Sequence, residues 1–411
     1  MPQTSPEFTE GSKSKLKFFR RSEYYDYSLI AVIILLIGFG LVMLYSTTSY
    51  TAGIKYHDDM YFFKKQAFFA AVAIAAALVI SMFDYHLLWH LSRLFYLVSL
   101  VLVMLVQTPL GTDAVNGARR WLKFGPVSFQ PSELSKIAVI ILIPVMIIRR
   151  GDRFRGWRDA AAPFLAGLVQ ALAVYICTSN LSTAIIIMLI SAAVIFVAHP
   201  KTLPFLLLLA AVLGAALLLV YLIGSGILTT GFRSNRILVW LDPEKYSGSG
   251  GYQIMQGLYA IASGGLLGKG LGNSTQKLGA IPEAENDMIF SVICEELGIF
   301  GGILVVLLFI YLLYRLFCIA QNAPDLYGSL IVIGVFVHIA AQVVLNLAVV
   351  LNVIPTTGIT LPFVSYGGTS LCLTVMEIAI ALSVSGKIRM RAEERDIWGD
   401  VVKSEVSRAD M

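Results

Sequence analysis

An aspartate at the junction of a glycine-rich loop and an apolar stretch is the residue best placed for chemistry. Asp287 follows Asn286 and precedes an apolar run that begins at Met288. Two interpretations stay open from the residues alone. In the first, Asn286 caps a helix and Asp287 in the first turn complements the helix dipole. In the second, Asp287 is a general base, because a free aspartate has a pKa of ~3.9 and is ionised at neutral pH.

A second set of charged residues precedes another apolar stretch. Arg119, Arg120 and Lys123 lie shortly before Glu133 and Lys136, which are spaced i,i+3 and can pair on a helix. Arginine and lysine bind phosphoryl oxygens through charge-assisted hydrogen bonds. The same cations also fit an anchor in the headgroup layer of a membrane. The residues therefore predict either a phosphate site or an interfacial anchor.

Lys269 and Lys277 lie in the glycine-rich sequence GKGLGNSTQK. This sequence is not a P-loop, because the G-K-[S/T] ending is missing and no strand precedes it. Its glycines would still let the backbone approach a lipid-linked phosphate. We therefore expect both lysines to contribute to a substrate or pyrophosphate site.

Polar residues also occur inside the apolar stretches. If one helix runs through from the loop, Glu295 is turned by roughly 80° from Asp287, and Glu296 points in the opposite direction. Carboxylates inside a membrane are costly and are paired or functional, and we expect structural hydrogen bonds for Glu296. Gln342 and Asn346, spaced i,i+4, are expected to join helices.

The composition is that of an integral membrane protein. Apolar residues make up 57% of the chain and charged residues only 14%, with a mean hydropathy of +0.77. The net charge of +5 is modest and reflects membrane topology, not a nucleic-acid partner. The cysteines and histidines show no metal-ligand spacing.

The apolar runs predict an all-α fold with about ten transmembrane helices in one domain, residues 28–386. Polar tails flank it at residues 1–27 and 387–411. Long loops are expected at about 108–131 and 224–285, the second containing a short amphipathic helix around GYQIMQGLYAIA. The predicted spans are 28–47, 64–82, 87–107, 132–148, 160–178, 180–198, 203–223, 286–317, 327–352 and 367–386.

The distribution of basic residues predicts the orientation. With ten spans both termini lie on one side, and that side receives 19 of the 31 lysines and arginines. The cluster RRGDRFRGWRD after the fourth span contributes most to this count. The positive-inside rule therefore places both termini in the cytoplasm and both long loops, with Asp287, outside.

Five blocks of sequence stand out along the chain: NGARRWL, FQPSELSK, GYQIMQGLYAIASGGLLGKGLGNSTQKL, IPEAENDMIFSVICEELGIFGG and IPTTGITLPFVSYGGTSL. With these blocks the chain resembles the SEDS family (shape, elongation, division and sporulation), the FtsW and RodA polymerases of bacterial wall synthesis. The resemblance covers essentially all ten spans, and the combination of GNSTQKL with PEA is closer to the division and sporulation members than to RodA.

The resemblance implies the SEDS fold and a function. Members of the family polymerise lipid II into glycan strands at the outer face of the bacterial cytoplasmic membrane. They release undecaprenyl pyrophosphate and work with a class B penicillin-binding protein, the crosslinking transpeptidase. The family's catalytic aspartate corresponds to Asp287, its RW arginine to Arg120, and its Q-P-[SA]-E-x-x-K acid and base to Glu133 and Lys136. A role in cell division further implies other divisome proteins as partners, alongside membrane lipids.

Two departures from the family pattern stand out. The usual T-D-F-I-F is N-D-M-I-F here, which keeps the acid, and Asn180 stands where an aspartate is common. Other functions stay open: a lipid II flippase, a RodA-like elongation or sporulation polymerase, and an inactive scaffold. A divalent cation, Mg²⁺ or Mn²⁺, could assist at the pyrophosphate, although the sequence supplies no clear ligand set.

Overall fold

The structure is a computed structural model that describes residues 25–112, 119–124, 127–151, 154, 156–227, 232–277 and 281–388. The predicted N-terminal tail up to residue 24 and the C-terminal tail from residue 389 lie outside the described residues. So do residues 113–118, 125–126, 228–231 and 278–280 of the two predicted loops.

The predicted all-α membrane fold is confirmed. Within the described ranges, ten helices are long and apolar enough to cross a membrane. Two shorter helices lie between the seventh and eighth of them. In chain order the helices are α1 (Tyr27–Tyr56), α2 (Tyr61–Met82), α3 (Leu87–Leu105), α4 (Pro131–Ile148), α5 (Trp157–Thr178), α6 (Leu181–Ala198), α7 (Leu203–Gly224), α8 (Phe232–Leu241), α9 (Gly251–Gly264), α10 (Ile289–Asn322), α11 (Leu326–Val350) and α12 (Gly368–Ser385).

The long loops contain more regular structure than the sequence predicts. The predicted amphipathic helix is α9, which buries Ile254, Gly257 and Ala260 and packs along α10. Helix α8 and an antiparallel hairpin, β1 (Leu122–Phe124) with β2 (Val127–Phe129), were not predicted. Strands of three residues are too short for an alternating pattern to be recognised.

Helix α4 lies at the centre of the bundle and α7 at its edge. Buried residues make up 83% of the apolar window of α4 but only 6% of that of α7. Helices α3, α5, α6, α11 and α12 all pack against α4. Residues at the start of α4 are therefore enclosed by protein on all sides.

Helix α10 is broken inside the membrane region. Gly298 has φ 70° and ψ −170°, so that residues 289–297 and 299–322 form two half-helices. A break leaves the last carbonyl groups of the first half and the first amide groups of the second without intrahelical partners. In lipid these groups must find other protein partners.

The glycine-rich loop after α9 supplies those partners. We call residues 264–270 together with 295–300 the glycine clasp. Loop amides donate to the carbonyls of the first half-helix, and amides of the second half-helix donate back to the loop. The bonds are Lys269 N to Glu295 O (2.9 Å), Gly270 N to Glu296 O (2.9 Å), Ile299 N to Gly265 O (3.0 Å) and Phe300 N to Leu266 O (3.4 Å).

The clasp requires glycine where the two backbones cross. A Cβ atom on Gly268 would lie 2.2 Å from the carbonyl oxygen of Glu296, and one on Gly298 would lie 2.3 Å from that of Leu266. Both glycines also have positive φ, which side chains other than hydrogen disfavour. The sequence GGLLGKG is therefore fixed by backbone packing.

We predict that Gly298→Ala destabilises the protein by at least about 2 kcal/mol, because the methyl group meets backbone and the positive φ is strained. The thermal unfolding midpoint of the purified protein in detergent measures the effect. Gly38→Ala is the matched control, since nothing lies within 4 Å of a Cβ added there. Equal midpoints for the two variants would contradict the clasp.

Candidate active site at the start of helix α10

Asp287 does not lie on a helix. Helix α10 begins at Ile289, and its N-cap residue Met288 makes no side-chain capping bond. Asn286 instead directs its amide toward Glu283 at 3.4 Å. The interpretation of Asn286 as a cap with Asp287 in the first turn is therefore wrong, because the chain from 281 to 288 is irregular and Glu283 has φ 52°.

Packing and one asparagine hold this irregular segment in place. Ala284 and Met288 are buried. Asn346 of α11 donates through Nδ2 to the carbonyl oxygens of Asp287 and Ile359, both at 2.8 Å. The expected helix-joining role of Asn346 thus extends to the backbone of Asp287, whose side chain remains partly exposed.

The surroundings of Asp287 make its carboxyl group a stronger base than a free aspartate. Burial raises its pKa to about 7, and the negative charge of Glu283 acts in the same direction. Arg236 opposes these effects, and Gln253 approaches Oδ1 at 3.4 Å. A carboxyl group with a pKa near the working pH is suited to accept a proton from a hydroxyl group.

Arg120 is a cation that interacts electrostatically with Glu283 of this acidic segment. It lies just before β1 and is half-buried, and its neighbour Arg119 is exposed. Burial lowers the pKa of Arg120, and the charge of Glu283 opposes that effect. Its buried Nε has no hydrogen-bond partner in the described part of the chain. Arg120 therefore has an unused donor with which it can bind an anion.

Glu133 and Lys136 form the predicted pair, but they are enclosed. Lys136 Nζ lies 2.9 Å from Glu133 Oε2, and the two side chains are 1% and 8% exposed. Ser370 of α12 also donates to Glu133 at 3.0 Å. The ammonium group of Lys136 is buried at the centre of the bundle and joins α4 to α12 through Glu133, and its assignment to pyrophosphate stays a prediction.

Lys269 and Lys277 are engaged by the two glutamates of α10. Lys269 Nζ lies 2.6 Å from Glu295 Oε1, and Lys277 Nζ lies 2.8 Å from Glu296 Oε1. Ser46 of α1 also donates to Glu296 at 2.7 Å, as expected for a structural carboxylate. Lys277 is buried, whereas Lys269 is 31% exposed and keeps contact with solvent. The phosphate role of both lysines stays a prediction.

The side-chain directions predicted for Glu295 and Glu296 relative to Asp287 are not those of the structure. The prediction assumed one helix through Asp287, whereas the helix starts at Ile289 and the two glutamates lie in the clasp, just before the break at Gly298. Both are fully buried and receive bonds from the loop, including one from Ser274 to Glu295. Their charges secure the loop to the half-helix that begins beside Asp287.

Several residues of the site gave no signal in the sequence. Glu283, Arg236 and Gln253 lie in loops or on the short helices, where charged and polar residues are common. Only their approach to Asp287 distinguishes them. Asn180, where the family pattern has an aspartate, caps α6 by accepting from Thr183 N at 3.1 Å, a role either residue type performs.

The described residues do not fit a resident metal ion. No group of three or more His, Cys, Asp or Glu side chains among them is arranged to hold one. A divalent cation at the pyrophosphate stays an expectation.

The chain is similar to known bacterial proteins. Residues 27–390 match the model of the FtsW, RodA and SpoVE family, described as "Cell cycle protein". "Stage V sporulation protein E" of Bacillus subtilis is 38% identical over 88% of this chain and 96% of the relative. "Probable peptidoglycan glycosyltransferase FtsW" of Trichlorobacter lovleyi is 36% identical over 91% of this chain and 96% of the relative.

A solved structure has the same fold. It is a chain of the structure described as "Structural coordination of polymerization and crosslinking by a peptidoglycan synthase complex". The two chains superimpose with a TM-score of 0.72 at 29% identity, over 89% of this chain and 99% of the other.

We predict that Glu296 and Lys277 are energetically coupled. Glu296→Gln or Lys277→Met alone leaves a buried charge without its partner and should cost about 3–5 kcal/mol. The double variant should cost clearly less than the sum in a double-mutant cycle on thermal unfolding. The exposed pair Asp58 and Lys64 is the control, with coupling below about 1 kcal/mol. Additive losses at Glu296 and Lys277 would contradict the buried pair.

Proposed function

The chain belongs to the FtsW, RodA and SpoVE family and is a peptidoglycan glycosyltransferase, and we propose that Asp287 is its general base. The supporting observation is the partly exposed carboxyl group of Asp287 with a pKa of about 7, on a segment whose backbone is fixed by Asn346. The family description and the relatives named FtsW fit a role in cell division.

The proposed reaction joins two lipid-linked sugars. Asp287 accepts the proton of the acceptor hydroxyl on lipid II as the hydroxyl oxygen bonds to the anomeric carbon of the donor strand. The bond from that carbon to the pyrophosphate oxygen breaks, and undecaprenyl pyrophosphate leaves with the bonding electrons. Attack opposite the leaving group inverts the anomeric carbon.

Arg120 is the residue that we assign to the leaving pyrophosphate. Negative charge grows on the pyrophosphate as the bond breaks, and a preorganised donor in a partly buried site stabilises it. Lys269 adds positive potential from its partly exposed position. Lys136 and Lys277 support the site through their buried pairs with Glu133 and Glu296.

The arrangement of charges supports an orientation with both termini in the cytoplasm of a bacterial cell. The positive-inside count favours that side for the termini. Asp26 at the start of α1 pairs with Arg315 near the far end of α10, at 2.7 Å. Asp287 precedes the opposite end of α10 and so lies at the outer face of the cytoplasmic membrane.

A crosslinking partner fits this assignment. The similar solved chain is described in a complex that coordinates polymerisation and crosslinking. We propose that this chain likewise works with a class B penicillin-binding protein and other division proteins, on lipid II as substrate. A RodA-like role in elongation or a role in sporulation would use the same chemistry.

The flippase alternative receives less support. A flippase requires polar groups that can solvate a headgroup across the bilayer. Buried titratable side chains of the bundle are instead bound to one another, as in the pairs of Lys136 with Glu133 and of His338 with Glu377 at 2.5 Å. Such pairs hold helices together and leave little capacity for a ligand.

We predict that Asp287→Asn lowers the rate of lipid II polymerisation by at least ~10²–10⁴. The amide keeps the shape of the side chain but cannot accept the proton. Purified protein, with and without its partner transpeptidase, is given lipid II and the glycan chains are separated by gel. An unchanged thermal midpoint controls for folding, and full polymerisation by Asp287→Asn would refute the proposal.

We predict an acidic limb in the pH profile of kcat/KM with a midpoint near 7, because Asp287 must be ionised to act as a base. Removing the negative charge of Glu283 lowers the pKa of Asp287, so Glu283→Gln should move the limb to lower pH. Glu244→Gln, in an exposed loop position, is the control with an unchanged profile. A limb that stays in place in Glu283→Gln would contradict the electrostatic account.

A further inference from the structure

Four aromatic rings form a compact surface where α1 ends and α2 begins. We call Tyr56, Tyr61, Phe62 and Tyr366 the aromatic platform. Tyr56 and Tyr61 are stacked, with ring centroids 4.1 Å apart and planes 9° from parallel. Phe62 packs edge-on against both tyrosines and against Tyr366, the last at 5.1 Å. The rings therefore support one another in fixed orientations.

The platform is attached to the catalytic segment. The backbone N–H of Tyr366 donates to the carbonyl oxygen of Glu285 at 2.9 Å, two residues before Asp287. Gln66 of α2 holds the same turn by accepting from Gly367 N at 3.2 Å and donating to Ser365 O at 3.3 Å. The platform and the proposed base are thus parts of one rigid assembly.

The tyrosine hydroxyl groups gather beside a carboxylate. Burial raises the pKa of Tyr366 to about 12, and Tyr61, Tyr56 and Glu285 act in the same direction through their proximity. The ring of Tyr56 is 38% exposed. No hydrogen bond joins the three hydroxyl groups to the described part of the chain, so they remain available to a polar ligand.

Basic side chains lie over the same rings. Lys55 Nζ is 5.5 Å from the ring centroid of Tyr56, and Lys65 Nζ is 5.7 Å from that of Tyr61. The surface thus combines flat ring faces, hydroxyl groups and cations. Sugar-binding sites use such groups, because aromatic ring faces contact the C–H groups of a sugar and polar side chains contact its hydroxyl groups.

We propose that the aromatic platform is a subsite for a pyranose ring of the glycan strand or lipid II, next to the ring that reacts at Asp287. The proposal rests on the proposed function, because it takes the same substrate as that site. The C–H face of the sugar stacks on an outer face of the Tyr56–Tyr61 pair, because the inner faces of the two rings cover each other, and its hydroxyl groups bond to the phenols. Lys55 and Lys65 face the negatively charged groups attached to the sugar.

An interfacial aromatic belt is the other role that such residues take in membrane proteins. A belt needs aromatic residues at the right depth but no common surface and no link to a catalytic segment. The stacking of Tyr56 on Tyr61 and the bond from Tyr366 to Glu285 are both unnecessary for a belt. The bond to Glu285 places the rings next to the segment that carries Asp287, where a neighbouring sugar of the substrate would lie.

The test compares the double variant Tyr56→Ala/Tyr61→Ala with native protein in lipid II polymerisation. We expect the apparent KM for lipid II to rise about tenfold, equivalent to about 1.4 kcal/mol, with little change in kcat. Tyr61→Phe keeps the ring face and should retain most of the affinity. Tyr50→Ala removes a half-exposed tyrosine from the same helix end and should leave KM unchanged.

Direct binding separates this proposal from the proposed function. Lipid II binding is measured on Asp287→Asn protein, which cannot turn over, with and without the two tyrosine substitutions. Weaker binding only with the tyrosine substitutions supports the subsite. Equal binding, or an equal loss in Tyr50→Ala, would show an interfacial role only and overturn it. If native protein binds through the tyrosines but makes no glycan, the proposed function fails and the subsite stands.

Discussion

Backbone hydrogen bonding inside the membrane is the constraint on which the structure of the site depends. Gly298 breaks α10, and the loop after α9 satisfies the amide and carbonyl groups that the break exposes. No solvent is present at that depth to take the place of the loop. The glycine clasp therefore secures a long external loop to the half-helix that follows Asp287, and the pairs of Lys269 with Glu295 and Lys277 with Glu296 strengthen the attachment.

This attachment explains how a carboxylate outside any helix can be positioned for catalysis. The segment before α10 is irregular, so its acidic residues are not spread around a helix. Asn346 fixes the backbone of Asp287 from α11, and α9 packs so closely that a Cβ on Gly257 would lie 2.3 Å from the terminal methyl of Met288. Burial next to Glu283 then raises the pKa of Asp287 into the range of a working base.

The ten membrane helices could be predicted from hydrophobic runs, and α9 from its apolar periodicity, because runs and periodicity are properties of the local sequence. The role of Asp287 could not be decided from its neighbours, and only the resemblance to the SEDS family favoured the base over a residue of the first helical turn. The partners of Lys136 and Lys277 depend on the packing of distant helices, so sequence reasoning assigned these lysines to substrate where the structure pairs them with Glu133 and Glu296. The break at Gly298 also escaped prediction, because an apolar run gives the same signal with or without it.

The measurement that tests the central claim most directly is an infrared titration of the Asp287 carboxyl group in purified protein. Its band is assigned by its absence from Asp287→Asn protein, and its midpoint is compared with that of polymerisation against pH. The account predicts that the two midpoints coincide near 7. A carboxyl group that titrates near the pKa of a free aspartate, ~3.9, while activity changes elsewhere, would contradict it.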